Sequence, residues 1–106
     1  MKIWIDDVIP APEEYVWLKC VNDAIRYIET YGDYEDDNNT LVVLIEIIDI
    51  GYDAGQYAQY GGDYIKLLEW FEETGRNYPI RIHSMNSVGV ANMRAIIQKN
   101  GWEEVK

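Results

Sequence analysis

Short β-type runs and stretches of helical spacing follow one another along the chain. Lys2-Ile-Trp-Ile5 is a β-type run that stops at Asp6-Asp7, and Pro10-Ala-Pro12 prevents any immediate helix. Tyr15-Val-Trp-Leu-Lys-Cys20 is a second apolar run; Asn22 is the expected N-cap of a helix carrying Ala24, Ile25, Tyr27 and Ile28, which Gly32 stops. Residues 41–50, Leu-Val-Val-Leu-Ile-Glu-Ile-Ile-Asp-Ile, form the most hydrophobic stretch. Near-continuous aliphatic character without alternation predicts a central strand covered on both faces. Gly61-Gly62-Asp63 opens the next helix, with Asp63 as N-cap, Ile65, Leu68 and Phe71 on successive turns, and Gly75 as the stop. Pro79-Ile-Arg-Ile82 reads as the last strand, and Ser87 caps a final helix through Val90, Met93 and Ile97 that ends at Asn100-Gly101.

The order β, β, α, β, α, β, α, with connections longer than hairpins, predicts an α/β fold. Parallel strands need crossovers, and those crossovers are right-handed. The expectation is a small three-layer sandwich, with a mainly parallel sheet of about four strands covered by helices. In such sheets ligands bind beyond the carboxyl ends of the strands. Those positions are unusually polar here: strand one delivers Asp6 and Asp7, the central strand Asp49 and Asp53, and the last strand His83, Ser84 and Asn86.

Composition narrows the function classes. The 106 residues suit one domain spanning 1–106, and 48% apolar content is enough to build a core. A net charge of −10 repels phosphate backbones, so direct wrapping of nucleic acid is not expected, whereas basic protein partners and small ligands are compatible. Residues 1–40 hold ten acids and three bases, the remainder nine and six, so the first part carries most of the field. Its densest stretch, Tyr34-Glu-Asp-Asp-Asn-Asn-Thr40, reads as a solvated loop; a clustered acidic surface can also imitate nucleic acid toward a basic protein. Cys20 is alone, which excludes an internal disulfide and a cysteine zinc cage and favours a reducing compartment. No stretch resembles a signal peptide or a membrane span, so no membrane role is expected and a cytoplasmic location is the default.

Several carboxylates at one sheet edge repel one another unless a cation or protons neutralise them, and an all-oxygen cluster suits Mg²⁺ or another divalent cation. The same residue types also cap loops and helices, and spacing alone leaves the two readings level. Tyr52, Tyr57, Tyr60 and Tyr64 cluster beside this edge, either as contact surface or as a loop packed by its own aromatics. Glu46, inside an otherwise aliphatic strand, requires a partner or an exposed position.

The chain resembles the cyclic-phosphate processing receiver domains, an offshoot of the response-regulator receiver fold. The likeness covers nearly its whole length. It rests on Ile5-Asp6-Asp7 with Pro10-Ala-Pro12, on Asp53-Ala-Gly-Gln-Tyr-Ala58 with Gly61-Gly62-Asp63-Tyr-Ile-Lys66, and on His83-Ser-Met-Asn-Ser-Val-Gly89 leading into Asn92-Met93. The resemblance implies a receiver-like, flavodoxin-like fold and an activity on cyclic phosphates, with paired acids holding a metal and histidines from two loops acting on the phosphate. Carried onto this sequence, Asp6, Asp7 and Asp53 would hold a divalent ion, Ser84 and Asn86 would bind phosphate oxygens, and His83 would be catalytic. The chain departs from the family where Asp-His-Asp is usual, with Gly51-Tyr52-Asp53, so the phosphoacceptor position of receivers is a glycine. Asp49 lies two residues upstream, about 7 Å back along the strand.

Two functional classes follow. One is a degenerate receiver-like module that binds a basic partner protein, or a phosphorylated or cyclic-phosphate small molecule, at the carboxyl edge of its sheet; an acidic inhibitor of a nucleic-acid-binding protein is one form of it. The other is a divalent-metal-dependent enzyme acting on cyclic phosphates.

Overall fold

The computed structural model describes residues 1–106. Four strands, β1 (Lys2–Ile5), β2 (Tyr15–Leu18), β5 (Ile47–Ile50) and β6 (Ile80–Ile82), form a wholly parallel sheet in the order β2-β1-β5-β6. The helices are α1 (Val21–Tyr31), α2 (Ile65–Thr74) and α3 (Ser87–Asn100), with a short 3₁₀ helix at Gly55–Tyr60. Strands β3 (Asp33–Glu35) and β4 (Leu41–Val43) pair as a separate antiparallel hairpin. This is the α/β receiver-like fold that the sequence predicts.

Side chains alternate across a strand, so the register divides the sheet cleanly. Ile3, Ile5, Ile48, Ile50 and Ile80 share one face and are all fully buried. They meet Ala24 and Ile28 of α1, Leu67, Leu68 and Phe71 of α2, and Met93 and Ile97 of α3 in one core. Helix α1 packs beside α2, and α2 beside α3.

The layering differs from the expected sandwich, because all three helices lie on this aliphatic face. The crossovers β2-α1-β5 and β5-α2-β6 advance in the same direction across the sheet, and two right-handed crossovers in one direction place both helices on one side. Only the β1-to-β2 connection steps the other way, and its residues 6–14 form no helix. The opposite face therefore presents Trp4, Trp17, Asp49 and Arg81 in one row, without helical cover.

The aliphatic run 41–50 is also divided. Strand β5 matches the four residues of β1, while Leu41–Val43 pairs with Asp33–Glu35, drawing Tyr34 and Glu35 out of the expected loop and into β3. The remaining turn is held by Asp36, whose Oδ1 accepts from the Asn38 and Thr40 amides, both at 2.9 Å. Glu46 sits exposed at the break, 3.6 Å from the Met1 amine.

Three caps are displaced from their expected residues. Helix α1 is capped by Cys20, whose Sγ accepts from the Asp23 amide, rather than by Asn22. Asp63 does not cap α2; its Oδ1 accepts from the Ala54 amide across the loop at 3.1 Å. Asn86 rather than Ser87 caps α3, accepting from the Gly89 amide at 2.9 Å. Of the four tyrosines beside the edge, Tyr64 is fully buried with its hydroxyl donating to the Lys19 carbonyl, Tyr52 and Tyr57 are half-buried, and Tyr60 is exposed.

Candidate functional site at the carboxyl edge

The uncovered sheet face and the carboxyl edge meet at His83. Leaving β6 on the same face as Arg81, its ring lies between two carboxylates: Nδ1 is 2.6 Å from Asp49 Oδ1, and Nε2 is 2.8 Å from Asp6 Oδ2. Trp4 stacks flat on the imidazole, with ring centroids 3.9 Å apart and planes 4° from parallel. The His83 amide donates to the Ile50 carbonyl, so β5 fixes the backbone that carries the ring. The second oxygen of Asp6 accepts from the Val8 and Ile9 amides at 2.9 and 2.8 Å, which folds the chain into a turn just beyond β1. Trp17 Nε1 donates to the Asp6 carbonyl, tying this turn to β2.

Two carboxylates on one imidazole favour its charged form. Burial acts against a charged His83, but its hydrogen bonds to Asp49 and Asp6, with their charges, prevail and raise its pKa. Burial likewise acts against ionised Asp6, and the Ile9 and Val8 amides, together with His83, outweigh it and lower its pKa. Each ring nitrogen faces a carboxylate oxygen, an arrangement that favours an imidazolium donating through both and leaves neither nitrogen free.

The other expected site residues surround a shallow depression of about 150 Å³ that Asp6, Asp7, Gly51, Tyr52, Asp53, His83 and Ser84 line. Asn86 is not among its lining residues; it caps α3 and reaches Asp53 only through a long 3.5 Å contact from Nδ2. Ser84 Oγ accepts from the Asn86 amide at 3.1 Å, so it too serves the turn into α3. Nowhere do three or more His, Cys, Asp or Glu side chains come together in a way that could hold a metal. Asp6 already accepts three N–H donors, two on Oδ1 and one on Oδ2, which leaves it one lone pair for a cation. A depression of this size is well below the roughly 300–1,000 Å³ of enclosed small-molecule sites.

The model of the cyclic-phosphate processing receiver domain matches residues 1–99. The chain belongs to this family. No curated protein matches it, and no solved structure does. Within a receiver-like fold, Gly51 is the informative residue. A Cβ there would lie 3.1 Å from Asp6 Oδ2 and 3.4 Å from His83 Nε2, so the position points into the cluster while offering no side chain. The adjoining Tyr52 turns toward α3 and lies against Gly89, where a Cβ would come within 2.4 Å of the ring.

That contact makes a direct prediction. Gly89→Ala gains about 1 kcal/mol of helix propensity, yet it should destabilise the protein by about 1–2 kcal/mol, because the ring must move. In a Tyr52→Ala background the same substitution should become neutral or stabilising. Urea unfolding of the four proteins checks it.

Sequence reasoning did not find the role of Asp49 as a partner of His83, nor that of Trp4 as its stacking plate. The available signal was a lone acid in an aliphatic strand, in register with Trp4 and Arg81. It also did not find the apolar rim: Val8, Ile9 and Met85 are 72%, 51% and 99% exposed around the acidic depression.

Proposed function

We propose that this receiver-like domain is a binding module that docks a partner protein at the carboxyl edge of its sheet, without phosphoryl-transfer or hydrolytic chemistry. The observation that carries this reading is the engagement of both His83 nitrogens by Asp49 and Asp6. General acid–base catalysis requires a ring nitrogen within reach of substrate, and here each faces a carboxylate. Gly51 supplies no acceptor for a phosphoryl group. The surroundings favour a protein ligand, since exposed apolar side chains around a polar centre are typical of association surfaces. A net charge of −10 selects a basic partner, and a nucleic-acid-binding protein inhibited by this acidic surface is one such partner.

A second reading rests on the family description, cyclic-phosphate processing. In it Asp6, Asp7 and Asp53 hold Mg²⁺ or another divalent ion, Ser84 and Asn86 bind phosphate, and His83 is catalytic. The two readings separate in one pair of measurements. The native chain is expected to leave a 2′,3′-cyclic nucleotide intact with Mg²⁺ or Mn²⁺, and to capture a stoichiometric protein partner that Val8→Asp with Met85→Asp no longer captures. Brisk metal-dependent hydrolysis, or capture indifferent to those substitutions, would overturn the binding reading.

A further inference from the structure

The β3–β4 hairpin stands apart from the parallel sheet, at the opposite end from the carboxyl edge. Its pairing can be followed bond by bond. The Asp36 amide donates to the Thr40 carbonyl at 3.0 Å and the Leu44 amide to the Gly32 carbonyl at 2.8 Å, with Tyr34 opposite Val42 between them. Opposed residues of an antiparallel pair alternate between bonded and non-bonded. Leu41 and Val43 are therefore non-bonded positions, and they direct their N–H and C=O groups away from β3, toward an edge that no strand occupies. Their side chains share one face and are 59% and 47% exposed.

That face borders the largest cavity of the molecule, about 440 Å³, enclosed between the hairpin and Thr74–Tyr78. Its polar wall is paired within itself except at Arg76 Nε, which is buried without a hydrogen-bond partner. Arg76 Nη1 donates to Asp33 Oδ2 at 3.0 Å, and the Tyr78 hydroxyl donates to the same oxygen at 3.0 Å. What remains for a ligand is that one donor and the apolar surface of Leu41 and Val43, beside unpaired backbone. Charge identifies the rest: from Asp33 to Glu46 the chain holds five acids and no lysine or arginine, and Glu35 and Asp37 have no ion-pair partner.

We propose that β4 receives an extended segment of a partner protein as a third strand, a segment in which apolar residues alternate with lysine or arginine. Main-chain bonds to Leu41 and Val43 supply the pairing, an apolar side chain enters the cavity on the Leu41 face, and the basic residues are drawn by the field of the five acids between Asp33 and Glu46. A second copy of the chain fits less well, because it would set one acidic hairpin against another. This surface is separate from the carboxyl edge, and its test is independent of the reading given above.

The test titrates the ¹⁵N-labelled full chain with a short synthetic peptide of alternating valine and lysine. Expected are amide shifts concentrated at Leu41–Val43 and Gly75–Tyr78, with slowed hydrogen exchange of the Leu41 and Val43 amides. Binding should weaken at least about tenfold when alternate peptide amides are N-methylated, and equally when glutamate replaces lysine. Leu41→Pro deletes one outward N–H while leaving the hairpin's own bonds intact, and should also weaken binding; the N-methylated peptide carries the same test if that variant does not fold. No shifts at about 1 mM peptide, shifts mapping elsewhere, or equal binding of the altered peptides would overturn the proposal. Self-association through residues 41–43 without peptide would assign the edge to a second copy, and would overturn it as well.

Discussion

His83→Ala is expected to destabilise the protein by about 3–5 kcal/mol, a fall in Tm of about 12 °C or more. The reason is what the substitution leaves behind. Asp49 and Asp6 are 2% and 6% exposed, and without the imidazolium two buried carboxylates face the same vacated space. The loss should be smaller in an Asp49→Asn background, because the variant then deprives one buried carboxylate of its imidazolium instead of two. In the native background Asp49 keeps Arg81 Nη1 at 3.8 Å and Asp6 its two amide donors. Such coupling is the signature of a shared network. The pH dependence of stability follows from the same cluster. The pKa of His83 is raised in the folded state, so its contribution is fully present below its unfolded value, about 6.5, and is lost as pH rises through the folded value. The pKa of Asp6 is lowered, so its contribution is present above its unfolded value, about 4, and is lost as pH falls through the folded value. Stability from this cluster should therefore peak at roughly pH 4.5–6.5. In His83→Ala the decline above that window should disappear, which urea unfolding across pH checks.

The second large effect is expected at Gly51. Gly51 does not lie in the left-handed region, so an aspartate meets no backbone penalty there. Its carboxylate would instead crowd Asp6 Oδ2, from which its Cβ would be 3.1 Å away. In chelator, Gly51→Asp should therefore be less stable than the native chain by about 1–2 kcal/mol, through like-charge repulsion. Millimolar Mg²⁺ or Mn²⁺ should reverse this loss, and the rise in Tm should exceed any rise in the native protein, since an ion that binds only the folded state stabilises it. A variant indifferent to divalent ions would mean that position 51 does not complete an oxygen site beside Asp6.

Much of this arrangement is legible in the sequence. The parallel sheet followed from runs too aliphatic and too widely spaced for hairpins, and the edge residues Asp6, Asp7, Asp53, His83 and Ser84 followed from the positions just after each strand. Other features depend on distance rather than pattern. A ten-residue aliphatic run does not reveal where it changes partner, because both β4 and β5 want the same side chains; the length of β1 decides the break. The single helical layer was implied by the helix-free segment between β1 and β2, yet reading it required the strand order. Caps shifted by one or two residues because Cys20 and Asn86 reach the orphan amides before Asn22 and Ser87 can. The partnership of Asp49 and His83 joins residues 34 apart, and only the adjacency of β5 and β6 brings it about.

The central claim is that His83 is a doubly hydrogen-bonded imidazolium, held by Asp49 and Asp6 and closed to proton exchange with a ligand. As the only histidine of the chain, it gives one imidazole signal set, and ¹⁵N NMR of the ring through neutral pH tests the claim most directly. The account predicts two protonated ring nitrogens at pH 7, both with slowed hydrogen exchange, and a titration midpoint above the usual value of about 6.5. A neutral ring at pH 7, with one nitrogen unprotonated and exchanging freely with solvent, would contradict it.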